Sequence, residues 1–271
     1  MPRTLMTEVI RCPNPSMMTL EGTNSYLIAA PSSETVAIVD PGPSGYPDHL
    51  RSLIAATDGR KVELILLTHH HMDHSGAAPE LAELTGAPVR AFREELCINA
   101  EPLEADERLV ISDAVVNVIH TPGHTSDSAC FLLAGDGENG SVLTGDTILG
   151  RGTTMLDYPD GSLLDYFATL DHLKLLGAEG PIRVLPAHGE ALPDLAAAAE
   201  AYMEHRHERL EQFRTYVEKR GVDIAQAADV DSQLAATIAT ELYGATVEAE
   251  TGLRITTQMV GAMAAYILER S

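Results

Sequence analysis

The chain has 271 residues, with 18 Lys and Arg against 40 Asp and Glu, a formal net charge of −22. An acidic excess of that size repels polyanions at long range and argues against strong nonspecific nucleic-acid binding. Three widely spaced cysteines, Cys12, Cys97 and Cys130, form no Cys-x-x-Cys pair, which excludes a disulfide framework or a thiol zinc ribbon.

The length allows one large domain or a main domain with an appendage, and a hydrophobic content of 45% is ordinary for a folded chain. Met1 to Glu8 lacks the apolar core of a signal peptide, and no stretch is long enough for a transmembrane helix. No membrane partner and a cytoplasmic location with reduced, inert thiols are the expectation.

Residues 18–30 alternate imperfectly about Gly22-Thr23-Asn24-Ser25-Tyr26 and predict one or two strands with a turn. A β-branched strand over 35–39 is stopped by Asp40-Pro41-Gly42-Pro43. Helical spacing over 46–56 puts Leu50, Leu53 and Ile54 on one face. A buried strand over 62–67, a short helix over 77–84 closed by Gly86 and a strand over 88–92 follow. Further strands are expected over 108–119, 128–133 and 142–144, with a hairpin loop at Asp136–Gly140. An amphipathic helix over 162–176 precedes a strand over 182–185.

From Pro193 the pattern turns helical, over 195–219, 224–228, 232–243 and 255–269. This predicts a main α/β domain over 1–192 and a C-terminal helical unit over 193–271. The charged stretch 204–220 reads as a solvated helix face with i,i+4 pairs, and the apolar last helix can pair two copies into a homodimer.

The chemistry gathers at strand ends. The strand over 62–67 runs into Thr68-His69-His70-His71-Met72-Asp73-His74-Ser75-Gly76. Read as His-x-His-x-Asp-His, it offers His69, His71, Asp73 and His74, with His70 and Met72 as spacers. Imidazole and carboxylate donors together suit zinc and other borderline divalent metals. His124, Asp146 and His188 each follow another apolar strand beside Gly or Pro. His69, His71 and His124 can form one three-nitrogen site. Asp73, His74 and His188 can form a second, with Asp146 bridging, and each leaves room for a water-derived oxygen.

Several neighbours have plainer readings. Asp40 either orients a ligand histidine or only shapes its Pro-Gly turn. Thr125 and Ser126 can satisfy backbone groups after His124. His205 and His207, two apart on a helix, do not chelate. Arg151 is either a contact for a substrate anion or an exposed loop arginine.

The motif order from His69 to His188 resembles the metallo-β-lactamase superfamily. The resemblance implies a four-layer αββα sandwich with two divalent ions, expected to be zinc, along one edge of the sheets. Against true β-lactamases, no cysteine stands near a ligand position, and a bridging Asp146 is typical of the superfamily's other hydrolases. Residues 14–27, residues 145–154 and His205-Arg206-x-x-Arg209-Leu210 are similar to the beta-lactamase-like protein 2 group. That group includes single-strand endoribonucleases with a winged-helix-like C-terminal domain. This sequence stops at Glu269-Arg270-Ser271, where a wing hairpin is expected, so the implied unit lacks a clear wing.

The activity expected is metal-dependent hydrolysis of an ester, thioester, amide or phosphodiester by an activated hydroxide. Asp73 would orient or deprotonate the nucleophile. A small molecule or RNA would be the substrate. A single-strand endoribonuclease is the alternative, and a binding or regulatory protein with a vestigial site is the second.

Overall fold

The computed structural model describes residues 5–244 and 250–270. Met1 to Thr4 of the signal-peptide reading and Ser271 of the wing reading lie outside the described residues. The chain forms two compact units: Met1–Thr121 with Asp127–Gly152 and Leu176–Ala196, and Pro122–Ser126 with Thr153–Leu175 and Ala197–Ser271.

The first unit holds two five-stranded sheets. One runs in order through β1 (Thr7–Arg11), β2 (Asn24–Ile28), β3 (Thr35–Val39), β4 (Lys61–Leu66) and β5 (Val89–Arg90). Here β1 to β3 are antiparallel neighbours, while β3, β4 and β5 run parallel. The other contains β6 (Arg108–Ile111), β7 (Ala114–His120), β8 (Ala129–Leu133), β9 (Ser141–Gly145) and β10 (Arg183–Pro186) in the order β10-β9-β8-β7-β6. It is antiparallel except for the β9/β10 pair. The β6/β7 turn places both Ser112 and Asp113 at positive φ, as a tight two-residue hairpin requires.

Alternation along the strands divides the apolar side chains between two cores. Tyr26, Val39 and Leu66 from one sheet pack with Val116, Phe131 and Leu143 from the other. On the opposite face of the first sheet, Leu27, Ile38 and Ile65 pack with helices α1 (Pro47–Ala56) and α3 (Ala78–Thr85) through Leu50, Leu53 and Leu81. Between β4 and α3 the histidine-rich run closes into α2, the single turn Met72–Ser75.

The edge strand β1 is absent from the periodicity reading. Glu8, Val9 and Arg11 are exposed, so no apolar alternation marks it. Of residues 18–30, expected to form one or two strands with a turn, residues 18–23 precede β2 in a turn tied by Asn14, whose Oδ1 accepts from the Thr23 N–H at 2.8 Å. Gly22 is required there. Its φ is +130°, and a Cβ would lie 2.0 Å from the Cys12 carbonyl oxygen.

His49 on α1 is buried among these elements. The Ser25 hydroxyl donates to the Asp40 carbonyl at 2.5 Å, so it accepts from His49 Nε2–H at 2.9 Å. His49 Nδ1 makes no hydrogen bond among the described residues. Burial pushes the imidazole down to about 4, so it folds neutral. The unfolded chain takes up this proton near pH 6.5, so the native state loses stability as pH falls from there towards 4, by at most about 3 kcal/mol. Urea unfolding at pH 7.5 and pH 5 should show a larger loss for wild type than for His49→Leu. Equal losses would reject this account.

The second unit contains α4 (Leu163–Leu176), α5 (Leu195–Arg220) beyond its first turn, α6 (Ile224–Ala228), α7 (Gln233–Tyr243) and α8 (Glu250–Glu269). Side-chain caps start two of them: Asp223 accepts from the N–H groups of Ala225 and Gln226, and Ser232 from that of Ala235. Among the described residues no strand follows β10, and no helix is long and apolar enough to cross a membrane.

The solvated face expected over 204–220 is present, with Glu204, Glu208, Glu211 and Glu218 exposed, but another face of the same helix is buried. Arg206, Leu210, Phe213 and Val217 are buried, a stripe of helical spacing headed by a guanidinium only 4% exposed. The charges around the stripe hide it in the sequence.

Candidate metal centre

In the first unit, strands β3, β4, β9 and β10 end at Asp40, Thr68-His69, Asp146 and His188. Asp40 is at the root of the arrangement. It is 2% exposed and holds φ at +51°, which turns the chain sharply as β3 ends. Its Oδ1 accepts from the Thr68 N–H at 2.8 Å, and its Oδ2 from the Thr68 hydroxyl at 2.6 Å. The same Oδ2 lies 2.9 Å from His74 Nδ1, which donates to it. Of the two readings for Asp40, the structure shows the histidine-orienting one.

With its proton committed to Asp40, the Thr68 hydroxyl accepts from His69 Nδ1 at 3.1 Å. One carboxylate thus sets His74 directly and His69 through Thr68, turning Nε2 outward in both rings. His69 Nε2 then lies 3.1 Å from His71 Nδ1. Gly145 makes the close approach possible, since a Cβ there would come within 2.7 Å of Thr68.

His74, Asp73, Asp146 and His188 converge in this unit. His74 Nε2 lies 3.5 Å from Asp73 Oδ2 and 3.6 Å from Asp146 Oδ1. His188 Nε2 lies 3.2 Å and 3.3 Å from the same two oxygens. Both Nε2 atoms are buried and make no hydrogen bond of good geometry among the described residues. Donor atoms of Asp73, His74 and His188 lie within 4.8 Å of one another, as do those of His69, His74 and Asp146. Buried nitrogens aimed at carboxylates without bonding them leave a gap that a divalent cation fits, and the donor set is one such ions accept.

Electrostatics agree. Burial opposes ionisation of Asp73, yet the His74 and His188 imidazoles hold its carboxyl down at about 2. Burial also works against a charged His74, but Asp73, Asp146 and Asp40 outweigh it and raise the imidazole well above its ordinary range. His188 is raised too, with burial overcome chiefly by Asp146. The carboxylates are arranged to stabilise positive charge.

The remaining expected residues fall as follows. His124 belongs to the second unit, where its Nδ1 donates to the Met155 carbonyl at 2.7 Å and Thr154 Oγ1 stands 3.3 Å away. That leaves Nε2 as the nitrogen through which it would ligate. His70 turns to Asp127, Nδ1 to Oδ1 2.8 Å, and the Met72 side chain is exposed. Arg151 is exposed and ion-paired with Glu21 at 2.5 Å. Ser126 donates to Asp160 through both its N–H and its hydroxyl, and Thr125 contributes its carbonyl to the Gly123 N–H. His205 lies 3.4 Å from Thr153 Oγ1, while His207 stacks on Phe167.

Sequence reasoning does not single out Asp127, Thr154 or the buried role of Arg206. Asp127 has a usable signal, an acid two residues beyond Thr125 before an apolar strand, whereas Thr154 and Arg206 have none.

The model of the metallo-beta-lactamase superfamily matches residues 18–188. A Drosophila melanogaster protein described as "Beta-lactamase-like protein 2 homolog" is 30% identical over 233 residues, covering 80% of this chain and 75% of its own. Fungal lactamase-like proteins match as well, and the chain spans about three fifths of their length. Among solved structures, the metallo-beta-lactamase family protein TTHA1429 from Thermus thermophilus superposes with a TM-score of 0.74 at 23% identity, over 98% of this chain and 94% of that one. TTHA1623, solved in a di-iron-bound form, gives 0.55 at 27% identity, over 70% of this chain and 96% of that one.

Proposed function

The chain belongs to the metallo-beta-lactamase superfamily, and from that premise we propose that it is a hydrolase working with two divalent metal ions. The observation that carries the reading is the pair of buried Nε2 atoms, on His74 and His188, directed at the Asp73 and Asp146 carboxylates. His74, His188, Asp73 and Asp146 would hold one ion, with Asp146 shared. His69 and His71 would hold the other, and the order of the motif assigns His124 to it. Ions held there would supply a nucleophilic hydroxide at neutral pH and a Lewis acid for the substrate oxygen.

The protein's own contribution is positioning. Asp40 fixes the tautomers of His74 and His69, and the Asp73 carboxylate would orient or deprotonate the attacking oxygen. The substrate class is an ester, thioester or phosphodiester. Zinc is the proposed metal, and the di-iron form of TTHA1623 makes iron its main competitor.

Elemental analysis of purified protein should find close to two metal equivalents per chain, chiefly zinc. Protein that stays metal-free in excess zinc would overturn the proposal. A panel of single-stranded RNA, acyl thioesters, lactones and phosphodiesters then separates the substrate classes. Single-stranded RNA cleavage is the second reading, supported by similarity to a beta-lactamase-like protein 2 homolog and opposed by the net charge of −22.

A further inference from the structure

We propose that Arg206 is the positioning residue for His124, fixing its ring in the tautomer that binds metal. This inference rests on the reading of His124 as a ligand and adds to it a residue far away in the sequence.

Arg206 is a buried cation on α5 that makes no ion pair among the described residues and whose Nε has no hydrogen-bond partner there. Its Nη2 donates to the Thr154 carbonyl in a very close contact, and its Nη1 reaches Met259 Sδ at 3.8 Å. The guanidinium carbon lies 5.5 Å from the centre of the Tyr166 ring. A buried charge without a carboxylate is costly, and an apolar side chain of similar volume would fill the same stripe without that cost. The guanidinium must therefore supply something that packing does not.

What it supplies is a bridge between the segment that accepts the His124 hydrogen bond and the residue packed on Gly123, its neighbour in the chain. Thr154 and Met155 form the first side: the Met155 carbonyl accepts from His124 Nδ1, with Thr154 Oγ1 beside it. Tyr166 stands on the second, against Gly123. Gly123, at φ +147°, packs so tightly on Tyr166 that a Cβ would come within 2.6 Å. Arg206 grips the Thr154 carbonyl with one end of its fork and lies over the Tyr166 ring with its face.

The histidine's backbone is held independently. Asp157 N–H donates to the His124 carbonyl at 2.8 Å, and Ser162 N–H to that of Gly123 at 3.0 Å. Losing Arg206 should free the ring to turn while leaving the chain in place.

The test compares wild type with Arg206→Met, Arg206→Lys and His124→Ala. Competition against a chromophoric chelator with zinc alone reads the affinity of each equivalent. Imidazole nitrogen shifts of the metal-free protein read the His124 tautomer. Arg206→Met should weaken one zinc equivalent by roughly 10- to 100-fold, the range of losses seen when a ligand's supporting partner is removed. It should also mix the His124 tautomers while the far-UV spectrum stays unchanged. Should Arg206→Met fail to fold, Arg206→Lys, which keeps the charge without the fork, decides by the same two readouts. Wild-type affinity and a single Nδ1–H tautomer in the folded Arg206 variant would overturn the proposal, even if His124→Ala loses one equivalent. If His124→Ala keeps both equivalents, the ligand reading falls and this inference falls with it.

Discussion

Asp73→Asn is expected to lower hydrolysis by roughly 100- to 10,000-fold at saturating zinc while the far-UV spectrum stays that of wild type. The substitution keeps volume and removes charge. The carboxylate is ionised throughout the neutral range, because His74 and His188 hold it at about 2. The loss should therefore be the same at pH 6 and pH 8, a charge effect and not a protonation effect. Excess zinc separates weakened metal binding from a lost positioning role, since only the first is rescued. Turnover within a few-fold of wild type would remove Asp73 from the reaction.

The second large effect is at Asp40. Its carboxylate receives the Thr68 N–H, the Thr68 hydroxyl and His74 Nδ1. Asp40→Ala would strand these three donors in a buried setting, at roughly 1–3 kcal/mol for each group left unsatisfied. The total is not a simple sum, because local relaxation recovers part of it. A fall in the thermal midpoint and weaker zinc binding should appear together. Asp40→Asn keeps one acceptor oxygen but turns an amide donor towards Thr68 or His74, so it should fall between wild type and Asp40→Ala. An Asp40→Ala protein that melts and binds zinc like wild type would show that Asp40 only shapes its turn.

Much of this arrangement is legible in the sequence. The run from His69 to His74 announces itself because ligands close in sequence must be close in space. The strand-end residues Asp146 and His188 can be picked out because a buried strand followed by Gly or Pro leaves little else for a charged or imidazole side chain to do. Helices with clear apolar stripes, such as α6 and α7, are marked nearly to the residue.

What escapes depends on distant contacts. The Arg206–Thr154 bond spans 52 residues and that from His70 to Asp127 spans 57, distances over which no local pattern speaks. Arg206 is further masked by composition, since an arginine among glutamates reads as solvated until its helix is docked. Strand β1 escapes for the opposite reason: an edge strand with exposed Glu8, Val9 and Arg11 has no apolar alternation to detect.

The parallel pairing of β3 with β4 and of β9 with β10 gathers the candidate ligands of the first unit at one end of these strands. Each of these strands carries a candidate ligand or its support at its exit, at Asp40, Thr68-His69, Asp146 and His188, and begins on a residue that is neither histidine nor a carboxylate: Thr35, Lys61, Ser141 and Arg183. Five residues of extended chain put roughly 17 Å between the two ends of a strand. The exposed tip Glu138-Asn139, which leads into the start of β9, is thus remote from the donors at the other end of that strand. A tag, a probe or a whole inserted domain could be accommodated at that tip, leaving Asp146 where it is.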